Sequence, residues 1–359
     1  MRRIVLSWAA STAICASGQA AASVTIYGNI DSGITYVNNL GGHSTVQMQD
    51  GISRANALGF SGVEDLGGGV SALLKLENGY SSDTGTLGQG GLLFGRQAYV
   101  GLGDKELGRL TLGRQYDSTV LMIPYFPCWN CGIYSAQNAN LDRGAGERLN
   151  NAVQYRSTNL GGLTFGATYA FGEAAGVLTT NQGRAISTDV QYNNDDFSAI
   201  AVMTDINGAI IRAGRLGVST MLGVPVQSST ILTADKQRIF GVGVKYKLGA
   251  WTPSILYTNT LLKLGHASSS DQVLRIGTTY QVSPSVLMAG QLSTDRFEQS
   301  RWYMANFSVD YFLSKRTDVY LELAAQRASG PGTVASIYLI GASSSQNQFL
   351  SRIGMKHIF

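Results

Sequence analysis

Residues Leu163-Thr164-Phe165-Gly166-Ala167-Thr168-Tyr169-Ala170-Phe171 decide the fold. The odd positions carry Leu, Phe, Ala, Tyr and Phe; the even ones carry Thr, Gly, Thr and Ala. A period of two sends successive side chains to opposite faces of a strand, so this stretch is a ribbon with one apolar face. The pattern returns in Phe240, Val242, Val244, Tyr246 and Leu248, and in Leu274, Ile276, Thr278, Tyr280 and Val282. It returns again in Tyr303, Ala305, Phe307, Val309 and Tyr311, and in Val319, Leu321 and Leu323. Strands of a soluble sandwich also alternate but average about 5–6 residues. These run to about ten, the length that crosses a bilayer at a tilt. Aromatics near the segment ends (Tyr169, Phe171, Tyr246, Trp251, Tyr280, Trp302, Tyr311) form the girdle expected at a membrane interface. In hydrocarbon no edge N–H or C=O can stay unpaired, so such a sheet closes into a barrel.

Composition agrees. Of 359 residues, 14% are charged and 44% are apolar, with 44 Gly, 17 Tyr and only 6 Pro. A soluble domain carries about 25% charged residues. Low charge without low hydrophobicity excludes a disordered chain. No apolar run of about 18 residues follows the N-terminus, which excludes a helical bundle in the membrane.

Residues 1–22 read as a signal peptide, and 23–359 as the barrel. Arg2 and Arg3 precede the apolar stretch from Ile4 to Cys15, and small residues end at Ala20-Ala21-Ala22. Export puts the protein where thiols can be oxidised. Without Arg2 and Arg3 the 27 basic residues against 23 acidic leave a net charge of only about +2, too little to suggest a nucleic-acid partner. Short turns are expected at 65–68, 104–107, 159–162, 194–196, 249–250, 283–285 and 313–316. Longer connections are expected near 38–51, 81–91, 118–147, 173–185, 208–234, 262–271, 297–300 and 329–345, with room for an extra hairpin in 209–234. Seven turns and eight loops join sixteen strands, the short turns on one rim and the loops on the other.

Several stretches resemble the trimeric Gram-negative general-diffusion porins of the β-proteobacterial type. They are Val24-Thr25-Ile26-Tyr27-Gly28, Gly62-Val63-Glu64-Asp65-Leu66-Gly67-Gly68-Gly69, Leu76-Glu77-Asn78-Gly79 and Phe94-Gly95-Arg96-Gln97-Ala98-Tyr99-Val100-Gly101-Leu102. Leu112-Gly113-Arg114-Gln115-Tyr116-Asp117, Arg148-Leu149-Asn150-Asn151-Ala152-Val153-Gln154-Tyr155 and the ending Gly354-Met355-Lys356-His357-Ile358-Phe359 complete the set. The resemblance implies an all-β, 16-stranded antiparallel transmembrane barrel in the outer membrane, a homotrimer, and a third loop folded inward. It also implies surrounding outer-membrane lipid and lipopolysaccharide, recognition of the Phe359 strand by the barrel-assembly machinery, and loop 81–91 latching onto a neighbouring subunit.

What it implies for function is passive diffusion of small hydrophilic solutes and ions, with wall arginines facing acids on the third loop. The matching wall positions are Arg96 and Arg148. Alternation adds Arg156, with Leu149, Val153 and Tyr155 outward, and pairs Lys75 with Glu77 on one polar face. Asn29 stands where some relatives have Lys, and Ala57 where relatives have a wall Arg; Arg54 is near but of opposite parity. The third loop carries Pro124, Tyr125, Phe126 and Trp129, with no acid in its first half; Asp142 and Glu147 come late. Few acids facing Arg96 and Arg148 make the opening net positive, and a charged ring favours counter-ions, so mild anion preference is expected.

Cys128-x-x-Cys131 reads as a small-loop disulfide, with free thiols as the alternative. A metal or redox centre would need a second Cys pair, a nearby His or a βαβ context. His43, His266 and His357 are the only histidines, and no paired nucleophile and base is visible, so an enzyme is not expected. No cofactor or metal is expected either. A solute-specific channel, or external loops serving as an adhesin or phage receptor, are the alternative functions.

Overall fold

The computed structural model describes residues 23–136, 139–172 and 182–359. The signal segment 1–22 lies outside the described residues, as does most of the connection 173–185.

The main sheet contains seventeen strand segments, two of which are halves of one wall strand, so sixteen strands form the wall. They are β1 (Ser23–Leu40), β2 (His43–Asp50 continued by Ala57–Gly67), β3 (Val70–Gly79) and β4 (Gln97–Asp104). Then come β5 (Gly108–Tyr116), β6 (Arg148–Arg156), β7 (Leu163–Ala170), β8 (Ala185–Asn193), β9 (Phe197–Ile211) and β10 (Leu232–Tyr246). The last are β11 (Trp251–Leu264), β12 (Ala267–Ser283), β13 (Val286–Phe297), β14 (Ser300–Phe312), β15 (Thr317–Ser329) and β16 (Asn347–Ile358).

Each strand pairs antiparallel with the next, and β1 pairs with β16 from Asn29↔Ile358 to Val37↔Leu350, which closes the barrel. The seam depends on one glycine. Gly28 and Phe359 exchange backbone hydrogen bonds of 3.0 Å in both directions. The Phe359 ring lies over residue 28, where a Cβ would come within 2.5 Å of it.

The alternation holds along the wall. Phe240, Val242 and Val244 are exposed on the outside, while Ile239, Gly241 and Gly243 are buried inside. The apolar face therefore meets lipid. The packed core lies within the lumen, where loops cover the inner wall. Leu141, Ile211, Leu216, Met221, Phe297, Trp302 and Ala335 form one cluster, in which the connections 212–231 and 330–346 meet. Ser336 Oγ donates to the Arg215 carbonyl (2.9 Å) and Val334 N–H to that of Gly217 (2.8 Å).

Three connections expected to be long are tight turns. Gly41-Gly42, Gly265-His266 and Glu298-Gln299 each link strands that run beyond the lipid-facing stretch. Gly41 and Gly42 supply φ values of 60° and 104°, the left-handed pair a two-residue hairpin needs. Polar alternation in Thr45-Val46-Gln47-Met48 and Ser268-Ser269-Ser270 continues the ladder that polarity alone suggested was loop. The segment 209–234 adds no wall strand: its two-residue strands Thr220–Met221 and Val224–Pro225 pair only with each other.

Candidate pore constriction

The third loop leaves β5 at Asp117 and crosses the interior. Asp117 fixes its base, accepting from Thr119 N–H at 3.0 Å and pairing with Arg143 at 2.7 Å. The 3-10 turns Ser118–Tyr125 then lie on β9–β11, with Met122, Tyr125 and Phe126 against Ile200, Val202 and Leu256. This approach needs a bare wall. A Cβ on Gly241 would come within 2.3 Å of the Met122 sulfur, and one on Gly243 within 3.0 Å of Tyr125.

Farther on, Asn130 Nδ2 donates to Asp310 at 2.5 Å and Gln291 Nε2 to the Ser135 carbonyl at 3.0 Å. Tyr134 is 1% exposed and shares a 3.2 Å hydrogen bond with Thr35. Burial pushes the Tyr134 and Tyr125 hydroxyls up to about 12, so both remain protonated donors at neutral pH. On the return, Asp142 meets Arg275 at 2.7 Å and accepts from Thr258 at 3.0 Å, while the Arg275 guanidinium lies 4.6 Å from the Phe126 ring centre. Cys128 and Cys131 are both buried, with their sulfurs bonded to one another.

Opposite stands the β1–β6 wall. Glu77 is 5% exposed; it accepts from Tyr27 at 2.6 Å and from Arg96 Nε at 2.7 Å, and Lys75 stands 3.9 Å away. Arg96 and Arg148 flank the Tyr116 ring at 5.9 and 4.4 Å, and Arg148 donates to its hydroxyl. One aromatic ring thus gathers two guanidinium groups, one from the connection just before β4 and one from the start of β6, a contact that sequence spacing does not announce. Glu147 is half-buried, and its carbonyl accepts from Asp117 N–H at 3.1 Å.

Other expected residues have different places. Asp142 is fully buried against Arg275 and does not line the channel; its role is to anchor the loop. Arg156 pairs with Asp189 at 2.9 Å near the short-turn rim, away from Arg96 and Arg148. Asn29 is 6% exposed because its amide holds the Ala55 carbonyl at 2.9 Å. Tyr125 and Phe126 face the wall; Pro124 and Trp129 are exposed inside the barrel. Leu149 belongs to the inner apolar cluster rather than the outer face, because Asn151 at φ 49° interrupts the alternation of β6.

Arg54 also departs from the parity expectation. Residues 51–56 break β2 and fold into the lumen: Arg54 N–H donates to Asp31 at 3.0 Å, and the Ile52 carbonyl accepts from Ile133 of the third loop at 2.9 Å. Asp31 is an inward residue of β1, so the exposed Arg54 side chain meets lumen water. A strand break resets parity, which is why counting residues from Phe60 misplaced it.

The family model described as Gram-negative porin matches residues 7–331. An outer membrane porin protein of Bordetella pertussis is 31% identical over 237 residues; these make up 58% of this chain and 60% of that protein, less than two thirds of its length. Outer membrane porin protein 32 of Delftia acidovorans is 28% identical across 96% of this chain and 97% of its own. Among solved structures, an anion-selective porin from Comamonas acidovorans has a TM-score of 0.76 at 24% identity, covering 94% of this chain and all of that one. OmpF of Salmonella typhi gives 0.66 at 15% identity, covering 94% of this chain and 97% of its own. With a closed sixteen-stranded wall, a polar lumen and an inward third loop, the chain belongs to the Gram-negative porin family, whose members are outer-membrane channels for passive diffusion.

Proposed function

We propose that this porin prefers anions and assembles as a homotrimer among outer-membrane lipid and lipopolysaccharide, after the barrel-assembly machinery has read its Phe359 strand. One observation carries the anion preference: Asp142 of the third loop and Asp117 at its root are spent on structure. Asp117 is held by Arg143 and Asp142 by Arg275, while Glu77 is shared by Arg96, Lys75 and Tyr27. Arg54 and Arg148 have no carboxylate partner among the described residues. Unneutralised guanidinium groups at a narrow opening raise the local concentration of anions and repel cations. The name of the Comamonas neighbour, anion-selective, points the same way.

The test is the reversal potential of the refolded protein in a KCl gradient. Anion preference gives the sign of chloride permeation, and a strongly cation-selective potential would defeat the reading. Triplet closing steps in single-channel records support the trimer, and uniformly single steps refute it. Ile123, Pro124 and Trp129 are exposed apolar residues of the third loop, which supports a second reading: a site for organic anions. Saturable block by an aromatic carboxylate, with no block by acetate, would favour it.

A further inference from the structure

The third loop carries a Cys-Trp-Asn-Cys turn that passive diffusion alone leaves without a role. Cys128 and Cys131 are bonded to one another and buried, packed against Ala289 of β13, with the Cys128 sulfur 4.0 Å from the Ser308 hydroxyl of β14. The Cys131 N–H donates to the Cys128 carbonyl at 2.9 Å, which closes the turn a second time. Between the two cysteines Trp129 stays 46% exposed, although tryptophan is highly buried on average. The loop lies inside the barrel, so this indole meets lumen water rather than lipid.

The same turn rests on the break in β2. Gly132 has φ 58°, and a Cβ there would come within 2.1 Å of the Ile52 carbonyl oxygen and 2.6 Å of the Ser53 Cα, so glycine permits the approach. Asn130 donates to Asp310 at 2.5 Å, while Lys356 pairs with Asp310 at 2.9 Å and donates to the Ser53 hydroxyl at 3.1 Å. The residue after Trp129 and the residue before Arg54 are thus tied to one ion pair. Counted along the 3-10 turn, across the Gly132 contact and on by one residue, the Trp129 and Arg54 Cα atoms lie within about 14 Å. One aromatic anion can touch both side chains across that span.

The charge here favours an anion. Lys356 is matched by Asp310 and Asp318, and Arg352 faces Asp31, which also takes the Arg54 backbone N–H. The Arg54 guanidinium is exposed and has no carboxylate partner among the described residues. An indole beside an unmatched guanidinium is complementary to a flat ring bearing a carboxylate, the ring stacking on the indole and the carboxylate accepting paired N–H groups. An inorganic ion would use the arginine alone, and a neutral ring the indole alone.

We propose that Trp129 and Arg54 form a binding site for aromatic carboxylates inside the channel, with the Cys128–Cys131 bond as its positioning element. The site rests on the organic-anion reading given above and deepens it by naming the ligand class and the groups that hold it. A bonded turn presents the indole in one place, so less freedom is lost when a ring settles on it.

The experiment measures concentration-dependent block of chloride current through the full-length refolded protein in planar bilayers, with benzoate, cyclohexanecarboxylate and acetate as probes. Benzoate should block saturably and more tightly than cyclohexanecarboxylate, which has the same charge and a similar size but no π face; acetate should not block. Trp129→Leu should weaken benzoate about tenfold and remove its advantage over cyclohexanecarboxylate, whereas Trp129→Phe should keep part of that advantage. Arg54→Gln should weaken both ring acids alike, about fivefold, the effect of one exposed ion pair. Cys128→Ser/Cys131→Ser should lower the benzoate advantage toward that of Trp129→Leu; mere loosening of the loop would weaken the two ring acids equally and leave their ratio unchanged. Absence of benzoate block in the wild type would defeat the organic-anion reading and this site together. Block that keeps its aromatic preference in Trp129→Leu, or that is unaffected by Arg54→Gln, overturns the site alone. An unaltered preference in the double Ser variant overturns the positioning role of the disulfide.

Discussion

Replacing Asp142 by Asn separates two views of the third loop. If Asp142 lined the channel, the change would remove a lumen anion, increase anion preference, and leave the barrel as stable as before. The geometry argues otherwise. Asp142 and Arg275 are both fully buried and meet at 2.7 Å, and Thr258 adds a second hydrogen bond to the same carboxylate oxygen at 3.0 Å. Removing one partner of a buried pair leaves the other charge uncompensated and costs about 3–5 kcal/mol. Asp271 and Asp295 stand buried on the same stretch of wall, so Arg275 keeps some electrostatic company and the cost should fall near 3 kcal/mol. A penalty of that size shifts the docked-to-undocked ratio of the loop by a factor of about 150.

The expected result in planar bilayers is a noisy channel with frequent substates, and a lowered midpoint for heat-induced unfolding in detergent. Asp142→Leu combined with Arg275→Met should recover much of the stability, because apolar replacement of a whole buried pair is often neutral. A quiet Asp142→Asn channel with an unchanged midpoint and a shifted reversal potential would refute the reasoning and return Asp142 to the lumen.

Arg54→Gln should lower the anion-to-cation permeability ratio about two- to fivefold, as expected for one unpaired charge partly screened within a Debye length of about 10 Å at 0.1 M salt. An unchanged ratio would place Arg54 outside the ion path. Gly243→Val should overpack the contact with Tyr125 and lift the loop from β10 at a cost of about 1–3 kcal/mol, seen as altered conductance and faster proteolysis of the loop. Alkylation of the unfolded, unreduced protein should add no mass at Cys128 or Cys131; full labelling would show free thiols. Tyr134 holds its proton more tightly in the folded loop than in an unfolded chain, where tyrosine titrates near 10. Its contribution to stability is thus complete below about pH 10 and declines as pH rises through about 12. Loop mobility should increase in that alkaline window, and Tyr134→Phe should abolish that part of the pH dependence.

The wall was legible because it follows a two-residue rule. Phe240, Val242 and Val244 face lipid for the reason they could be read, that each strand has one solvent on each side. The rule fails where local backbone geometry changes. The break at 51–56 carries Arg54 inward, and Asn151 turns Leu149 into the inner cluster. Hairpin lengths were overestimated at 38–51, 262–271 and 297–300, because polar alternation outside the membrane looks like loop until its partner strand is known. Long-range pairing was the least accessible. Asp142 to Arg275 spans 133 residues, and nothing near either one marks the other. The glycines Gly241 and Gly243 did carry a signal, two bare inward positions on one strand, but what approaches them could not be named from β10 alone.

Selectivity and stability here draw on the same kinds of side chain, and burial decides which role each one takes. A guanidinium that meets a buried carboxylate, as Arg275 does, has most of its field cancelled nearby, so it fastens the loop and contributes little to an ion in the lumen. Arg54 and Arg148 fasten less and are felt more, because the Arg54 side chain is exposed and Arg148 donates to a neutral tyrosine hydroxyl, which leaves both charges intact. Asp117 and Asp142 are consumed by anchoring, whereas Arg54 and Arg148 on the opposite side have no carboxylate partner among the described residues. On the proposed reading, the bias of the opening arises from how tightly its third loop is tied down, and mutations that loosen the loop should erode selectivity even when they touch no residue that faces the pore.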